Sequence, residues 1–344
     1  MNKTLQKIAA NIAMSCWATR TTPTINNNWS SICWSPELHM FCAVSGGVFG
    51  SVTQRVMTSN DGINWATQTT PAINNNWLSI CWSPELHMFC AISNDGSATE
   101  RVMTSSDGIN WVTRNTPSVD NSWFSICWSP ELHMFCAVSY NGIITEGVMT
   151  SSDGINWATQ TTPSMYNSAW YSVCWSPELH MFCAVNAYGY ETQAIMTSND
   201  GINWATKNTP STVGNSWRSV CWSPELHMFC TIDRTIGCGA QAIMTSGDGI
   251  NWAIRSTPSV NNQWGSVCWS PELNMFCAIT EYGLGTENVM TSSDGINWAT
   301  RTTPSINIFW QSICWSPELH MFCVIGYTDL GISKVMTSKS IIIK

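Results

Sequence analysis

Cys33-Trp34-Ser35-Pro36-Glu37-Leu38-His39-Met40-Phe41-Cys42 is one of seven near-identical stretches in the chain. The other copies begin at Cys81, Cys127, Cys174, Cys221, Cys268 and Cys314, and the single change among them is Asn274 in place of His. A tryptophan opens each copy a few residues earlier: Trp29, Trp77, Trp123, Trp170, Trp217, Trp264 and Trp310. These tryptophans recur every 46–48 residues. A unit of that length cannot bury a core alone, so the seven units must stack into one body.

Each unit carries four strand signals and no helical periodicity. In the first copy, Trp29 to Ser35 is a strand rich in Trp and Ile. Ser35-Pro36-Glu37-Leu38 is a turn, because proline fixes φ and cannot donate to a ladder. His39 to Ser45 is a second strand and Arg55 to Thr58 a short third. Asn60-Asp61-Gly62 is a hairpin signal, and Ile63 to Gln68 is the fourth strand. Seven units of four antiparallel strands predict an all-β, seven-bladed β-propeller.

The chain ends favour a ring over an open solenoid. Ser15 to Arg20 matches the fourth strand, and Lys334 to Ser338 matches the third. The last unit lacks a fourth strand, and the N-terminal segment supplies one. A ring closed that way leaves no blade with an unpaired edge. Residues 1–10 are expected to be an N-terminal extension and 11–344 one propeller domain.

Composition narrows the function classes. Charged residues make up 10% of the chain, hydrophobic residues 44%, and tryptophan occurs 21 times. That is the profile of a packed protein. The net charge is −8 and the arginines are scattered, which argues against nucleic acid as a partner. No run approaches the ~18 apolar residues of a membrane-spanning helix, so no membrane insertion is expected. Met1 to Ser15 has a short apolar patch broken by Asn11 and does not resemble a secretory signal. A reducing intracellular compartment or a virion is therefore expected in preference to secretion.

Thr58-Ser59-Asn60-Asp61-Gly62-Ile63-Asn64-Trp65 resembles the Asp-box hairpin of sialidase-like propellers. It is a shifted variant in which Asp directly precedes Gly. The turn recurs at Asp107, Asp153, Asp200, Asp248 and Asp294. The tandem form, with its Trp-Ser-Pro-Glu-Leu turn, is similar to uncharacterised repeat propellers of bacteria and large DNA viruses. The resemblance implies the propeller fold and a structural role for these six aspartates. A sialidase activity would need an arginine cluster and the family's Arg-Ile-Pro opening motif. The chain has neither, and no other catalytic motif stands out. It is expected not to be an enzyme and to use no cofactor.

Each remaining motif has a structural reading beside a functional one. Seven glutamates (Glu37, Glu85, Glu131, Glu178, Glu225, Glu272, Glu318) share a face with the six aspartates. They are either a docking surface or the solvating charge of exposed turns. Cys-x5-His-x2-Cys in each blade lacks a fourth ligand and tolerates Asn274, so no metal is expected. Cys33 and Cys42 lie opposite each other if Glu37 and Leu38 centre the turn, which would allow a strained disulfide. A bulge at His39 would turn the two thiols to opposite sides. Reduced, buried thiols are the expectation in either register. The opening tryptophans, following Asn-rich loops, are either inter-blade core or a ring that stacks on sugars.

Variation concentrates in the loops 46–54, 93–100, 139–147, 186–193, 233–241, 280–287 and 326–334, all on the face opposite the acidic turns. They carry Phe49, Tyr140, Tyr188, Tyr190, Asp233, Arg234, Tyr282 and Tyr327, the candidate binding residues. The loops entering the opening tryptophans vary as well. Divergence on one face of a duplicated array suits recognition, although loops also drift freely. The expected function is a non-enzymatic scaffold or protein-binding module, such as a structural component of a virion. The alternative is a carbohydrate-binding propeller.

Overall fold

The computed structural model describes residues 16–23, 27–46, 53–94, 99–117, 121–140, 145–163, 169–188, 193–210, 216–235, 242–258, 262–282, 286–305, 308–327 and 334–339. They form seven four-stranded antiparallel sheets arranged as the blades of a propeller. Blade 1 runs Asn28–Ser35, Met40–Gly46, Val56–Ser59 and Ala66–Gln68. The first strand of each blade packs on the first strands of both neighbours, and that of blade 7 reaches blade 1. First strands therefore line the axis and the ring is closed. No helix among the described residues is long and apolar enough to cross a membrane.

Blade 7 is completed as the chain ends predict. Trp17–Arg20 pairs antiparallel with Val335–Ser338, Trp17 opposite Ser338. In blade 1, Trp34, Phe41 and Trp65 form an aromatic cluster across the sheet, Trp34 meeting Phe41 edge to face. In blade 7 the corresponding rings are Trp315, Phe322 and Trp17. Trp17 thus fills the place of a fourth-strand tryptophan although it precedes the other six in the chain.

The core lies between the blades. One face of blade 1 presents Cys42, Val44 and Val56, with Cys33 and Leu38 at its margin. The facing side of blade 2 presents Trp77, Ile80, Trp82, Phe89, Ala91, Met103 and Trp111. The same cluster recurs around the ring, including the closing contact where Cys323, Ile325 and Val335 meet Trp29, Trp34 and Phe41. Each opening tryptophan is at most 2% exposed. They belong to this core and cannot offer an open sugar-stacking ring.

Strand starts differ from the sequence reading by one residue in the first three strands of blade 1 and by three in the fourth. The second strand starts at Met40, because His39 has a φ of +47° and ends the turn. The fourth strand starts at Ala66, three residues late, because Ile63 to Trp65 still belong to the turn organised by Asp61. The cysteine register is settled: Cys33 pairs directly with Cys42, and the equivalent cysteines pair in every blade. Both thiols are free. Burial pushes each far above the ordinary thiol range, so they behave as small apolar residues.

Candidate functional site

The two faces of the ring differ in what their polar groups do. On the acidic face they are spent on the fold. Asp61 Oδ1 accepts from the amides of Ile63 and Asn64 at 2.8 and 2.7 Å and from the Ser59 hydroxyl at 3.0 Å. Its Oδ2 accepts from the Asn64 side chain at 2.8 Å. The other five aspartates repeat this pattern, for example Asp107 with Ile109 and Asn110. Partial burial alone would raise the Asp107 carboxyl. The hydrogen bonds from Asn110, Ile109 and Ser105 outweigh it and hold the pKa at about 2.

The turn glutamates stay largely exposed, and six of them also bond across a blade junction. Glu37 Oε2 accepts from the Trp82 indole of the next blade at 2.7 Å. Glu85, Glu131, Glu178, Glu225 and Glu272 do the same for Trp128, Trp175, Trp222, Trp269 and Trp315. Only the indole of Trp34, where blade 1 meets blade 7, lacks such a partner. The carboxylates therefore latch six of the seven blade junctions. The sequence places Glu and Trp in different blades, so nothing in the spacing within one unit points to this bond.

On the variable face, loops entering the first strand are tied to loops leaving the second. Asn75 Nδ2 donates to the carbonyl of Glu100 at 2.5 Å, and Asn262 Nδ2 to that of Glu287 at 2.6 Å. The residue before the third strand is a buried cation in three adjoining blades. Arg55 donates to Asn74 Oδ1 at 3.1 Å, Arg101 to the carbonyl of Asn121, and Lys334 Nζ to the carbonyl of Asn27 at 2.8 Å. In blades 3 to 6 that place holds Gly147, Ala194, Ala242 and Asn288.

The first strands enclose a cavity of about 130 Å³ on the axis. All seven blades line it, through the residue that follows each opening tryptophan: Ser30, Leu78, Phe124, Tyr171, Arg218, Gly265 and Gln311. The strand register shifts at this position in every blade. Such a bulge turns the extra residue out of the ladder. The seven residues are all different, inside a segment otherwise almost invariant. This is the site that reading the loops alone overlooks. Its signal was available, because aligning the seven copies exposes one fully variable column within the constant strand.

Several candidate loop residues converge on that column. Tyr140 and Tyr188 stack at 5.7 Å and their hydroxyls are 3.0 Å apart. Burial, then the bond to Tyr188, raises the Tyr140 hydroxyl to about 12. Tyr140 also packs on Phe124 at 5.0 Å, and Phe124 on Tyr171 at 4.9 Å. The Arg218 guanidinium sits 4.1 Å from the centre of the Tyr171 ring. Arg234 pairs with Glu281 at 2.8 Å. Together these residues form a continuous band over blades 3 to 6.

Tyr282 and Tyr327 form a second patch, on either side of Phe309 at 5.4 and 5.0 Å. Asp233 turns inward instead. It is 1% exposed, and its Oδ1 accepts from the amides of Ser216 and Thr235 at 2.8 Å. Burial raises its pKa. Phe49 and Tyr190 lie outside the described residues. Among the described residues, no three His, Cys, Asp or Glu side chains come together as a metal site.

No family model and no curated protein sequence matches the chain. Its fold is similar to that of solved propellers. A catalytically inactive histidine-to-alanine variant of virginiamycin B lyase from Staphylococcus aureus, solved with quinupristin, superposes with a TM-score of 0.76 at 10% identity. The alignment covers 95% of this chain and 99% of that one. A streptogramin B lyase gives 0.75 at 9% identity, covering 94% and 97%. A chain of the mitotic checkpoint complex gives 0.64 at 14% identity, covering 91% and 89%. At such identities the likeness shows the fold alone.

Proposed function

We propose that the chain is a non-enzymatic binding module that holds a protein partner on its variable face, as a component of a larger assembly such as a virion. The observation that carries this reading is the column of seven different residues at the axial mouth. Everything around the column is nearly fixed by packing, and the loops above it diverge on the same face. Duplicated units diverge in this way when one surface is shaped to something external.

The absence of catalysis belongs to the same proposal. In the lyase neighbour, replacing one histidine gives a protein described as catalytically inactive. The six histidines of this chain all stand in hairpin turns of the acidic face. The assembled nature of the checkpoint-complex neighbour is compatible with a docking role. The turn geometry at Asp61 and its copies supports the Asp-box-like resemblance. A glycan ligand is the weaker reading, since the tryptophans that would have stacked on sugars are buried. Tyr282, 40% exposed, is the best remaining platform for one.

The test is recovery of the tagged full chain from its native source with its bound protein. Tyr188→Ala and Arg234→Ala alter the variable face, and Ile155→Ser alters the opposite face. Loss of the same partner in the first two variants, with retention in the third, is expected. Retention in all three, or loss only in Ile155→Ser, would overturn the reading. A glycan array probed in parallel decides the second reading.

A further inference from the structure

We propose that the axial cavity is an oxyanion site, built to receive one carboxylate- or phosphate-sized group. The inference rests on the variable face being the binding face and adds the chemistry of what enters it.

The lining is rich in donors. Ser31, Ser125, Ser172, Ser219 and Ser312 line the cavity from five blades. Each hydroxyl oxygen accepts the amide of the next blade's first strand, at 3.1–3.3 Å, from Ile80, Val173, Val220, Val267 and Ile32. A serine hydroxyl has one proton to donate. Because the oxygen is already engaged as acceptor, that proton is left for something else. None of these five hydroxyls donates to another described residue. The bonds that tie the inner strands together therefore also orient a ring of donors around the axis.

The charge is positive at the same place. Arg218 is the one ionisable lining residue that carries charge at neutral pH, and no carboxylate lines the cavity. Its guanidinium is held over the ring of Tyr171, which also lines the cavity. The nearby Arg234 and Glu281 neutralise each other. Gly265 belongs to the same arrangement, since a Cβ there would lie 2.9 Å from the Glu281 Cβ. A cavity of about 130 Å³ has room for about four waters or one small polyatomic group. Five hydroxyl donors and a guanidinium, without an opposing carboxylate, match an oxyanion and repel a metal cation. The group could arrive free in solution or on an acidic side chain of the bound protein, and the two sources are separable.

Titration calorimetry on the full chain, at constant pH and ionic strength, tests this with inorganic phosphate, with acetate and with a short Glu-containing peptide, against chloride. Saturable phosphate binding is expected in the wild type, with affinity at least tenfold weaker in Arg218→Gln and little changed in Ile155→Ser on the opposite face. Stronger binding of the peptide than of acetate assigns the group to a polypeptide; equal or weaker binding assigns it to a free oxyanion. Absence of saturable binding, or equal binding by Arg218→Gln with an unaltered melting curve, overturns the proposal. The two proposals can fail separately. Retention of the protein partner without oxyanion binding removes only this inference. Arg218-dependent phosphate binding with no partner lost in Tyr188→Ala removes only the docking reading.

Discussion

His39 and its copies adopt φ values of +45° to +47°, and Asn274 takes +50° at the same place. The left-handed region excludes most residues with a Cβ but admits Asn, Asp and His more readily than others. Backbone conformation therefore explains both the histidine and its single replacement, and no ligand is needed. His87→Asn should change stability by less than about 0.5 kcal/mol. His87→Val, β-branched and poorly tolerated there, should cost about 1–2 kcal/mol. Equilibrium urea unfolding separates the two. Equal costs would show that the imidazole itself matters. The sequence showed the substitution plainly but could not supply its reason, because φ is not written in residue identity. The same limit applied to Glu37, whose partner Trp82 becomes a neighbour only once blades are stacked.

At the scale of the element, the Asp-Gly hairpin is a unit held by one carboxylate and one glycine. Gly108 has a φ of +73°, and a Cβ there would lie 2.9 Å from the Met40 sulfur of the preceding blade. The turn is thus shaped for its own backbone and for its neighbour at once. The carboxylate makes the hairpin sensitive to acid. Asp107, Asp153, Asp200, Asp248 and Asp294 have pKa values of about 2 in the folded chain. An unfolded aspartate titrates near 3.9. A depressed carboxyl contributes stability above the unfolded value and loses it as pH falls through the folded one. The melting temperature should therefore drop steeply between about pH 4 and pH 2. Asp107→Asn should lower it at neutral pH and reduce the drop on acidification. A variant whose acid sensitivity equals that of the wild type would refute this account. The existence of this hairpin was legible from Asp-Gly alone. Its true length was not, because Asp61 captures Ile63 and Asn64, which the apolar pattern assigns to a strand.

At the scale of the whole molecule, the ring depends on the strand Trp17–Arg20. Trp17 joins the core between blades 6 and 7, and Arg20 Nε donates to Thr337 Oγ1 at 2.9 Å. Truncating a buried aromatic costs about 3–5 kcal/mol. Trp17→Ala should lower the melting temperature more than Arg20→Ala does, and it should raise hydrogen exchange first in Val335–Ser338. Uniform exchange across all blades would show that closure is not localised there. Closure was readable from the sequence because both chain ends fall within a repeat. The axial cavity was legible only as a variable column in the aligned copies, since its lining is gathered from seven separate places in the chain.

The strand that closes the ring also imposes an order in time. Arg20 and its partner Thr337 are 317 positions apart in the chain. At about 5–20 residues per second of synthesis, the first strand must wait on the order of 15–60 s for the strand it pairs with. Throughout that interval it carries Trp17 without its partner, and every finished blade ends in a row of exposed apolar side chains awaiting the next. The nascent chain is therefore most vulnerable to capture by a chaperone, or by a second copy of itself, just before its last blade emerges. An array so regular offers a neighbouring molecule's strand the same pairing as its own, and the long delay is when such an exchange would occur.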